Sequence, residues 1–383
     1  MDITRVVRGT LAVTSWFLGL LFLTGCGTPP ALDIDPGSSR IYPGYKGNIS
    51  RNGFSDSGTA MTLQPLWKLE FKYPLFYSPA MVDDYVFQPG VDKKIHVIDV
   101  NMGVEVAEIK VRRPIGTTPE LSDSFMAICE EGENSELLVI NYVSGQLLWK
   151  AKTFKVSLSP VLYDNKIFWV DGRNRVNAAR LKDGESIWSV TLGSGSDCGP
   201  VFCNEKLFVA TRDGRIFCLD SESGELCWEV IGVGRTNSSP ACLGNNLYFC
   251  MADGVVACYD CSDGSLVWQR SDLPRLFYSP AVDDVAVYYG TADGRFVKLD
   301  RFNGNVIWEH QADAPVRGTA LITSAAAIFA SLDHKIYVLD KGTGDVFSSY
   351  ETAGMVSAAP VLADDRLFIA AQDKILYCFY MAR

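Results

Sequence analysis

A unit of about 40 residues recurs along most of the chain, and it restricts the fold more than any other feature. A small residue stands before a proline once in each unit. These pairs are Ser78-Pro79, Thr118-Pro119, Ser159-Pro160, Gly199-Pro200, Ser239-Pro240, Ser279-Pro280 and Ala359-Pro360, with Thr319-Ala320 on the same register. A tryptophan that follows a glycine keeps the same period, at Trp149, Trp188, Trp228, Trp268 and Trp308. Such a period predicts an array of one supersecondary unit.

Each unit is interpreted as four short strands joined by tight turns. In the sixth unit we expect strands at 278–282, 286–290, 295–300 and 306–310, separated by turns that contain Asp, Asn and Gly. Glycine and asparagine supply the positive φ angles that hairpin turns need. Four antiparallel strands in about 40 residues form one propeller blade. A solenoid of stacked sheets, the alternative, would leave capped ends.

The two ends of the array indicate a closed ring. The final unit, 359–380, supplies three strands and lacks the strand that carries the tryptophan. An additional strand at 66–71, with Trp67, precedes the first unit. If this strand completes the last blade, the ring has eight blades and no exposed sheet edge. The sequence therefore predicts an all-β fold, one eight-bladed β-propeller over 63–383, rather than two domains.

The N-terminus has the composition of an export signal. Two arginines precede the apolar stretch 11–23, which is shorter than the roughly 20 residues of a membrane span. The stretch ends in Leu23-Thr24-Gly25-Cys26, which resembles a bacterial lipobox. We expect a signal peptide at 1–25, acyl chains such as palmitate on Cys26, and a tether and lead-in over 26–62. The alternative is an uncleaved anchor helix with an incidental cysteine.

The repeat also follows a recognisable residue pattern. In the fourth unit Cys218-Leu219-Asp220 is followed by Ser223-Gly224 and then by Trp228. This pattern resembles the tryptophan-docking repeat of the PQQ-like propellers, and the lead-in at 45–53 resembles the segment before the first blade in that family. The resemblance covers nearly all of the chain after the leader. It implies that Trp67 and the repeated tryptophans dock each blade on the next.

Three units depart from the pattern of that family. Ala107 and Ser348 stand where the first and seventh blades should carry Trp, and Lys298 occupies the small position of the sixth blade. We expect the contacts of these blades to be looser than the others.

The resemblance raises the question of catalysis. Quinoprotein dehydrogenases of the family add a calcium site, a catalytic Asp and usually two adjacent cysteines, and this chain has no adjacent cysteines. The recurring Asp of each unit is a turn residue. The histidines His96, His310 and His334 are far apart, and no P-loop, zinc spacing or Gly-x-Ser-x-Gly motif occurs. We expect no catalytic residue, no metal site and no cofactor. The alternatives are a PQQ-dependent or other redox enzyme, and a propeller that binds a carbohydrate or small ligand.

The chain contains eleven cysteines. Cys218, Cys258 and Cys378 occupy the small position of the repeat, and Cys250 stands where other units have Ala or Gly. A buried cysteine behaves as a small apolar residue, so these are interpreted as fillers of the strands. Because an exported protein meets oxidising conditions, a cross-strand disulfide between Cys218 and Cys227 is the sharper alternative.

Turns alternate between the two rims of a four-stranded blade. The first and third turns share one rim, the acidic face, which holds most of the acidic turn residues. The second turns and the links between blades share the other rim, the basic face. The net charge of −10 is therefore an average of two unlike surfaces, and it argues against a general nucleic-acid binder. The expected binding residues at the channel mouth of the basic face are Arg112, Arg113, Lys155, Arg235, Arg275 and Arg317.

Arginine is favoured at binding hot spots, and complementary charge steers partners together. These residues are therefore candidates for docking an acidic protein segment; the alternative is ordinary solvated turn charge. A lipoprotein leader with one such propeller resembles the lipoproteins of the family that act in outer-membrane protein assembly. The resemblance implies a non-catalytic, monomeric scaffold in the periplasm, anchored to the outer membrane by lipid. Its expected partner is a periplasmic domain of an outer-membrane barrel assembly protein, and Gly27 after the cysteine agrees with outer-membrane sorting.

Overall fold

The computed structural model describes residues 6–7, 32, 34, 40–42, 51, 53–55, 62–154, 158–232, 234–236, 238–272, 274 and 278–382. The predicted lipidation site Cys26 lies outside the described residues, as do Lys155 and Arg275 of the predicted binding set. Most of the predicted signal peptide lies outside them too. Within the described part of the chain, no helix has the length and apolar character needed to cross a membrane.

Eight sheets, each with four antiparallel strands, form the ring, one for each blade, which confirms the predicted all-β propeller. Three strands precede the first complete unit: β1 (Val6–Val7), β2 (Ile41–Tyr42) and β3 (Thr62–Glu70). Within blades one to seven the four strands pair in chain order, and the first strands of these blades contact one another in succession. The first strands therefore surround the central axis, and the fourth strands lie at the circumference.

Blades one to four contain, in order, β4 (Ala80–Val82), β5 (Tyr85–Pro89), β6 (Lys94–Asp99), β7 (Val104–Lys110); β8 (Glu120–Ser122), β9 (Phe125–Cys129), β10 (Glu136–Asn141), β11 (Gln146–Lys152); β12 (Val161–Tyr163), β13 (Lys166–Val170), β14 (Arg175–Arg180), β15 (Ser186–Thr191); β16 (Val201–Cys203), β17 (Lys206–Ala210), β18 (Arg215–Asp220), β19 (Leu226–Ile231). Blades five to eight contain β20 (Ala241–Leu243), β21 (Asn246–Cys250), β22 (Val256–Asp260), β23 (Leu266–Arg270); β24 (Ala281–Val282), β25 (Ala286–Gly290), β26 (Arg295–Asp300), β27 (Val306–Gln311); β28 (Leu321–Ile322), β29 (Ala326–Ala330), β30 (Lys335–Asp340), β31 (Val346–Glu351); β32 (Val361–Ala363), β33 (Arg366–Ala370), β34 (Ile375–Ala382).

The ring closes as the ends of the array predicted. β3 pairs antiparallel with β34 and supplies the fourth strand of blade eight, with Trp67 opposite Cys378. The hydroxyl of Ser78 donates to the carbonyl oxygen of Ala359 at 2.8 Å, which joins the first and last small-Pro positions. Closure therefore uses both the circumference and the axis of the ring.

The apolar core is divided among the blade interfaces. Eight clusters of buried apolar side chains occur in the described chain, and each combines residues of two consecutive blades. The second and third strands of a blade are buried almost throughout, whereas the fourth strand is mostly exposed. Each blade is therefore stabilised mainly by its neighbours, since a single sheet cannot cover its own apolar faces.

Six of the tryptophans hydrogen-bond to the backbone of the next blade. Each indole Nε1 donates to a backbone carbonyl of the next blade at 2.7 to 3.1 Å. The donor and acceptor pairs are Trp67–Val100, Trp149–Leu181, Trp188–Ser221, Trp228–Cys261, Trp268–Arg301 and Trp308–Lys341. A glycine of the next blade lies directly under each ring; a Cβ on Gly224 would stand 2.6 Å from Cδ2 of Trp188. The Gly of the repeat is thus required by the Trp of the preceding blade.

The recurring Asp acts in the turn. Oδ1 of Asp220 accepts hydrogen bonds from the backbone N–H groups of Glu222 and Ser223, both at 3.0 Å. A hydrogen bond from Lys206, followed by those from Ser223, lowers the pKa of Asp220. The same turn contacts recur at Asp300. These carboxylates are committed to the third turns of their blades.

Lys298 forms a contact of its own at the small position of blade six. Its side chain is buried, and Nζ donates to the carbonyl oxygen of Lys341 at 2.7 Å. Nε1 of Trp308 donates to the same oxygen at 3.1 Å. Burial lowers the pKa of Lys298. The lysine therefore adds a second donor to the docking contact instead of leaving a gap.

The proposed bridge between Cys218 and Cys227 is not formed, and both residues are free thiols. A β-bulge next to Cys218 places Trp228 opposite it and leaves Cys227 as the extra residue of the bulge. A disulfide instead joins Cys203 to Cys242, whose Cα atoms are 6.3 Å apart. These residues belong to the first strands of blades four and five, so the bridge fastens two consecutive blades near the axis.

Candidate functional site

An opening on the basic face lies at blade two, bordered by the links that precede and follow this blade. This arginine cavity has a volume of about 500 Å³. Its lining residues are Arg112, Arg113, Glu130, Glu133, Asn134, Ser135, Glu136, Lys152 and Phe154. It therefore contains two of the residues predicted from sequence to bind a partner.

An elongated turn in blade two creates the cavity. The second turn of this blade, between β9 and β10, spans 130–135, whereas the equivalent turn of blade three spans 171–174. Backbone hydrogen bonds hold the longer turn in place: Glu131 N–H donates to Pro114 O at 2.8 Å, and Thr153 N–H donates to Ser135 O at 3.0 Å. The extra residues form a wall facing the two arginines of the preceding link.

The charges of the cavity are unequally exposed. Glu130 forms the floor, with a side chain that is 1% exposed and an oxygen 3.9 Å from Nε of Arg113. Burial raises the pKa of Glu130. Glu136 pairs with Lys150 at 2.7 Å, and Arg112 is exposed. The cavity therefore presents charges of both signs to the solvent above a buried acid, because the exposed Glu133 lines it together with the two arginines and Lys152.

An aromatic ring extends the cavity towards blade three. The guanidinium carbon of Arg173 lies 3.7 Å from the ring centroid of Phe154. A Cβ on Gly172 would stand 1.8 Å from the carbonyl oxygen of Phe154, so only glycine allows this approach. Stacked Arg and aromatic side chains are frequent in binding hot spots.

The predicted binding residues are only partly brought together. Arg112 and Arg113 lie in one cavity, whereas Arg235 and Arg317 lie in separate links further around the same face. Arg235 is exposed and stands 3.7 Å from Asp197. Three further residues were not among the predicted binding residues: Lys152 and Phe154, which line the cavity, and Arg173, which stacks on Phe154. The interruption of the repeat at 130–135 was the signal that could have indicated them.

The basic face is also less cationic than its count of bases suggests. Many of its lysines and arginines form ion pairs with acids of the same face. These pairs include Lys94–Glu108, Arg175–Asp171, Arg212–Asp197, Arg215–Glu229, Arg295–Asp293 and Lys335–Asp313. Exposed ion pairs contribute little energy, but they neutralise the local potential. The arginine cavity is thus a more specific candidate than the face as a whole.

One group of sulfur atoms in the described residues is compact enough to share a metal ion. The Sγ atoms of Cys203, Cys242 and Cys261 lie within 4.8 Å of one another, and all three side chains are buried. Two of the three sulfurs are joined in the disulfide, and Sγ of Cys261 lies 3.9 Å from that of Cys242. A disulfide sulfur is not a thiolate ligand, so the oxidised cluster is a covalent cross-link between two blades rather than a metal site.

A family model described as outer membrane protein assembly factor BamB matches residues 60–198 and 172–332. A comparison with curated protein sequences finds no match. Among solved structures, BamB from Moraxella catarrhalis is similar with a TM-score of 0.71 and 15% identity, over 83% of this chain and 100% of that chain. The quinohemoprotein alcohol dehydrogenase from Comamonas testosteroni has a TM-score of 0.76 and 11% identity, over 90% and 81% respectively. The computationally designed Ika8 protein has a TM-score of 0.72 and 16% identity, over 83% and 99%.

At these identities the solved structures establish the fold alone, since enzymes, an assembly factor and a designed protein all share it. The family match carries more weight because it extends from residue 60 to residue 332. Since that match spans well over half of the 383 residues, the chain belongs to the family of the outer membrane protein assembly factor BamB.

Proposed function

We propose that this protein is a lipid-anchored, non-catalytic scaffold in outer-membrane β-barrel protein assembly, and that its arginine cavity binds an acidic segment of a partner protein. The observation that carries the proposal is the BamB family match over residues 60–332. The cavity adds a concave surface on the basic face, with Arg112 and Arg113 on one side and Lys152 and Phe154 on the other.

The chemistry of the cavity favours a carboxylate-bearing segment. Guanidinium groups bind carboxylates through two parallel hydrogen bonds, which gives orientation as well as affinity. The ring of Phe154, stacked under Arg173, offers apolar surface beside that charge. An acidic segment with an adjacent aromatic or aliphatic side chain would use both features. A periplasmic domain of an outer-membrane barrel assembly protein is the proposed source of this segment.

Charge reversal tests the binding surface. The variant Arg112→Glu with Arg113→Glu should lose at least tenfold in affinity for the partner recovered from native membranes, because hot-spot residues each contribute about 2 kcal/mol or more. Arg366→Glu is the matched control, since Arg366 lies on the acidic face and donates to Asn101 at 2.7 Å. Circular dichroism should show an unchanged propeller in both variants.

A second variant separates the cavity from the rest of the face. Arg235→Glu with Arg317→Glu changes the same number of charges outside the cavity and should weaken binding much less. If the two double variants lose the same affinity for the partner, binding depends on the overall charge of the basic face rather than on the arginine cavity. Unchanged binding in both would eliminate the basic face as the docking surface.

The contacts of the lead-in support an orientation for the anchored protein. The N–H of Leu32 donates to the carbonyl oxygen of Val143 at 3.3 Å, and Nη1 of Arg40 lies 3.0 Å from Asp364. Both acceptors belong to turns of the acidic face. Five residues separate Cys26 from Leu32, so the two positions are roughly 20 Å apart at most. A lipid on Cys26 would therefore hold the acidic face near the membrane and direct the arginine cavity away from it.

Two measurements test this arrangement. Cys26→Ala should release the protein from membranes, whereas Cys227→Ala, at an exposed free thiol, should leave it bound. A fluorophore at Asp365, on the acidic face, should be quenched by lipid-borne quenchers more strongly than one at Arg235. Equal quenching at the two positions would contradict the orientation without affecting the docking proposal.

A redox enzyme is the second candidate, because a quinohemoprotein dehydrogenase shares the fold. Absorbance and calorimetric titration with PQQ and calcium distinguishes the two. Saturable binding with one cofactor per chain would favour the enzyme, and absence of binding would favour the scaffold. A glycan-binding screen serves the same purpose for a carbohydrate ligand in the channel.

A further inference from the structure

The lead-in of the chain contacts the ring from inside. β2 pairs antiparallel with β4, the first strand of blade one, with Ile41 opposite Val82, and it also contacts β8 of blade two. The hydroxyl of Tyr42 donates to Oδ1 of Asp364 at 2.8 Å, in the first turn of blade eight. Since first strands surround the axis, residues 40–42 lie at the inner surface of three adjacent blades.

Arg51 reaches the next three blades. Its side chain is buried with 1% exposure, although arginine is rarely buried without partners. Nη2 donates to the carbonyl oxygens of Ser159 at 2.7 Å and Pro160 at 3.0 Å, and Nη1 donates to the hydroxyl of Ser239 at 3.1 Å. These acceptors immediately precede the first strands of blades three and five. The guanidinium group therefore spans blade four.

Blade four makes room for the guanidinium group. A Cβ on Gly199 would stand 2.5 Å from Nη1 of Arg51, closer than real contacts allow. Gly199 is the small residue before Pro in this unit, at the position where Ser159 and Ser239 occur in the neighbouring units. The change from serine to glycine within the repeat thus coincides with the buried arginine. It marks a pocket adapted to that side chain.

Residues 53–55 contact the two remaining blades, six and seven. The N–H of Ser55 donates to the carbonyl oxygen of Ile322, and the N–H of Ile322 donates to that of Gly53, both at 2.8 Å. Gly53 has φ +68, and a Cβ there would stand 2.8 Å from Cβ of Ala281 and from the carbonyl oxygen of Ala320. These contacts belong to blades six and seven. The described lead-in residues, 40–42, 51 and 53–55, together touch all eight blades, which is geometrically feasible only at the axis.

We propose that the central channel is a binding site for an extended, arginine-bearing peptide, and that the chain's own lead-in occupies it. Recognition combines backbone pairing to first strands with carbonyl and hydroxyl acceptors for one guanidinium group, and the charge of Arg51 also interacts with the carboxyl group of Glu120 in β8. Arg51 offers five N–H donors and finds two carbonyls and one hydroxyl. Any other ligand that binds in the central channel must displace the described lead-in residues. The inference concerns the channel and does not depend on the docking role of the arginine cavity.

Cleavage of the purified full chain tests the proposal. A specific protease site is inserted between Ser55 and β3, and the cut protein is passed through a size-exclusion column under native conditions. The N-terminal fragment should co-elute with the propeller, because its contacts to eight blades survive the cut. A fragment that leaves at once, while circular dichroism shows a folded propeller, would overturn the proposal.

Substitutions at Arg51 then test the pocket. Arg51→Ala should release the cut fragment at least tenfold faster, since the loss of one hydrogen bond to a charged group already corresponds to a factor of about ten or more. Arg212→Ala is the control, because Arg212 pairs with Asp197 on the basic face. Release from Arg51→Ala at the rate of this control would refute the pocket. If Arg51→Ala does not fold, Arg51→Lys is used in its place. Lysine keeps the charge but lacks the planar arrangement of guanidinium donors, so the cut fragment should again be released faster than from the control.

Discussion

The glycine under each docking tryptophan offers a sharp test of how the blades are joined. Gly224 has φ +73, and a Cβ on it would stand 2.6 Å from Cδ2 of Trp188. Gly224→Ala should therefore destabilise the propeller in two ways. The left-handed backbone costs an L-residue about 1–2 kcal/mol, and forcing a methyl group against the ring costs about 1–3 kcal/mol. The expected loss is about 2–5 kcal/mol in the free energy of unfolding.

Urea unfolding followed by circular dichroism measures this loss, and Gly193 supplies the control. No atom lies within 4 Å of a Cβ built on Gly193. Gly193→Ala should therefore be neutral or stabilise by up to about 1 kcal/mol. In a Trp188→Ala background the indole ring is absent. There, Gly224→Ala should lower the free energy of unfolding only by the cost of the left-handed backbone, about 1–2 kcal/mol. Equal effects of the two glycine substitutions, or an undiminished cost without the tryptophan, would refute the docking argument.

Two further perturbations have calculable directions. Removing the disulfide through Cys203→Ala with Cys242→Ala should lower the free energy of unfolding by about 4 kcal/mol, from loop closure across a separation of 39 residues; equal urea midpoints for the oxidised and substituted proteins would contradict this. The second concerns His96, whose ring lies 2.9 Å from Glu105 and 3.2 Å from Asp92. Burial lowers the pKa of His96, but the hydrogen bond and charge of Glu105, with the charge of Asp92, raise it overall. This stabilisation is complete below the unfolded pKa of about 6.5 and is lost as the pH rises through the higher folded-state pKa. His96→Gln should flatten the pH profile of the melting temperature above pH 6.5, and an unchanged profile would exclude the histidine as its source.

Local periodicity was sufficient to predict the blades. In the sixth unit the second and third strands occur at the predicted residues, and the fourth extends one residue further. The first strand is shorter than predicted, at Ala281–Val282. First strands converge on the axis, where space limits regular pairing to two or three residues. A pattern of side chains along one strand contains no information about this crowding.

The cysteines illustrate a different limit. A symmetric hairpin would place Cys218 beside Cys227, but the β-bulge shifts the register by one residue and removes that pairing. Cys203 and Cys242 are instead separated by 39 residues, one fewer than a repeat, so they lie one position apart in the first strands of consecutive blades. Residues one period apart are distant along the chain and close at the axis. Reading the repeat as a ring, rather than as separate hairpins, would have indicated this bridge.

The predicted binding residues were brought together only in part, for a related reason. Sorting turns by rim correctly assigned Arg112 and Arg113 to the basic face, because the rim of a turn follows from strand order alone. The sorting could not separate paired from unpaired charges, since ion pairs such as Arg212–Asp197 join turns of the same face. It also treated every second turn as equivalent. The cavity exists because one of them, at 130–135, is longer than the rest.

The lead-in departs furthest from what periodicity can predict, because it lies outside the repeat. Its partner in the repeat is nevertheless visible as an irregularity: Gly199 replaces a residue with a Cβ where Arg51 needs the space. The side chains at the small-Pro positions lie next to the axis, so a change there alters the space that is available in the channel. Deviations at the small-Pro positions of a propeller sequence should therefore be interpreted as contacts with whatever occupies the channel. In this protein the occupant is encoded by the same chain.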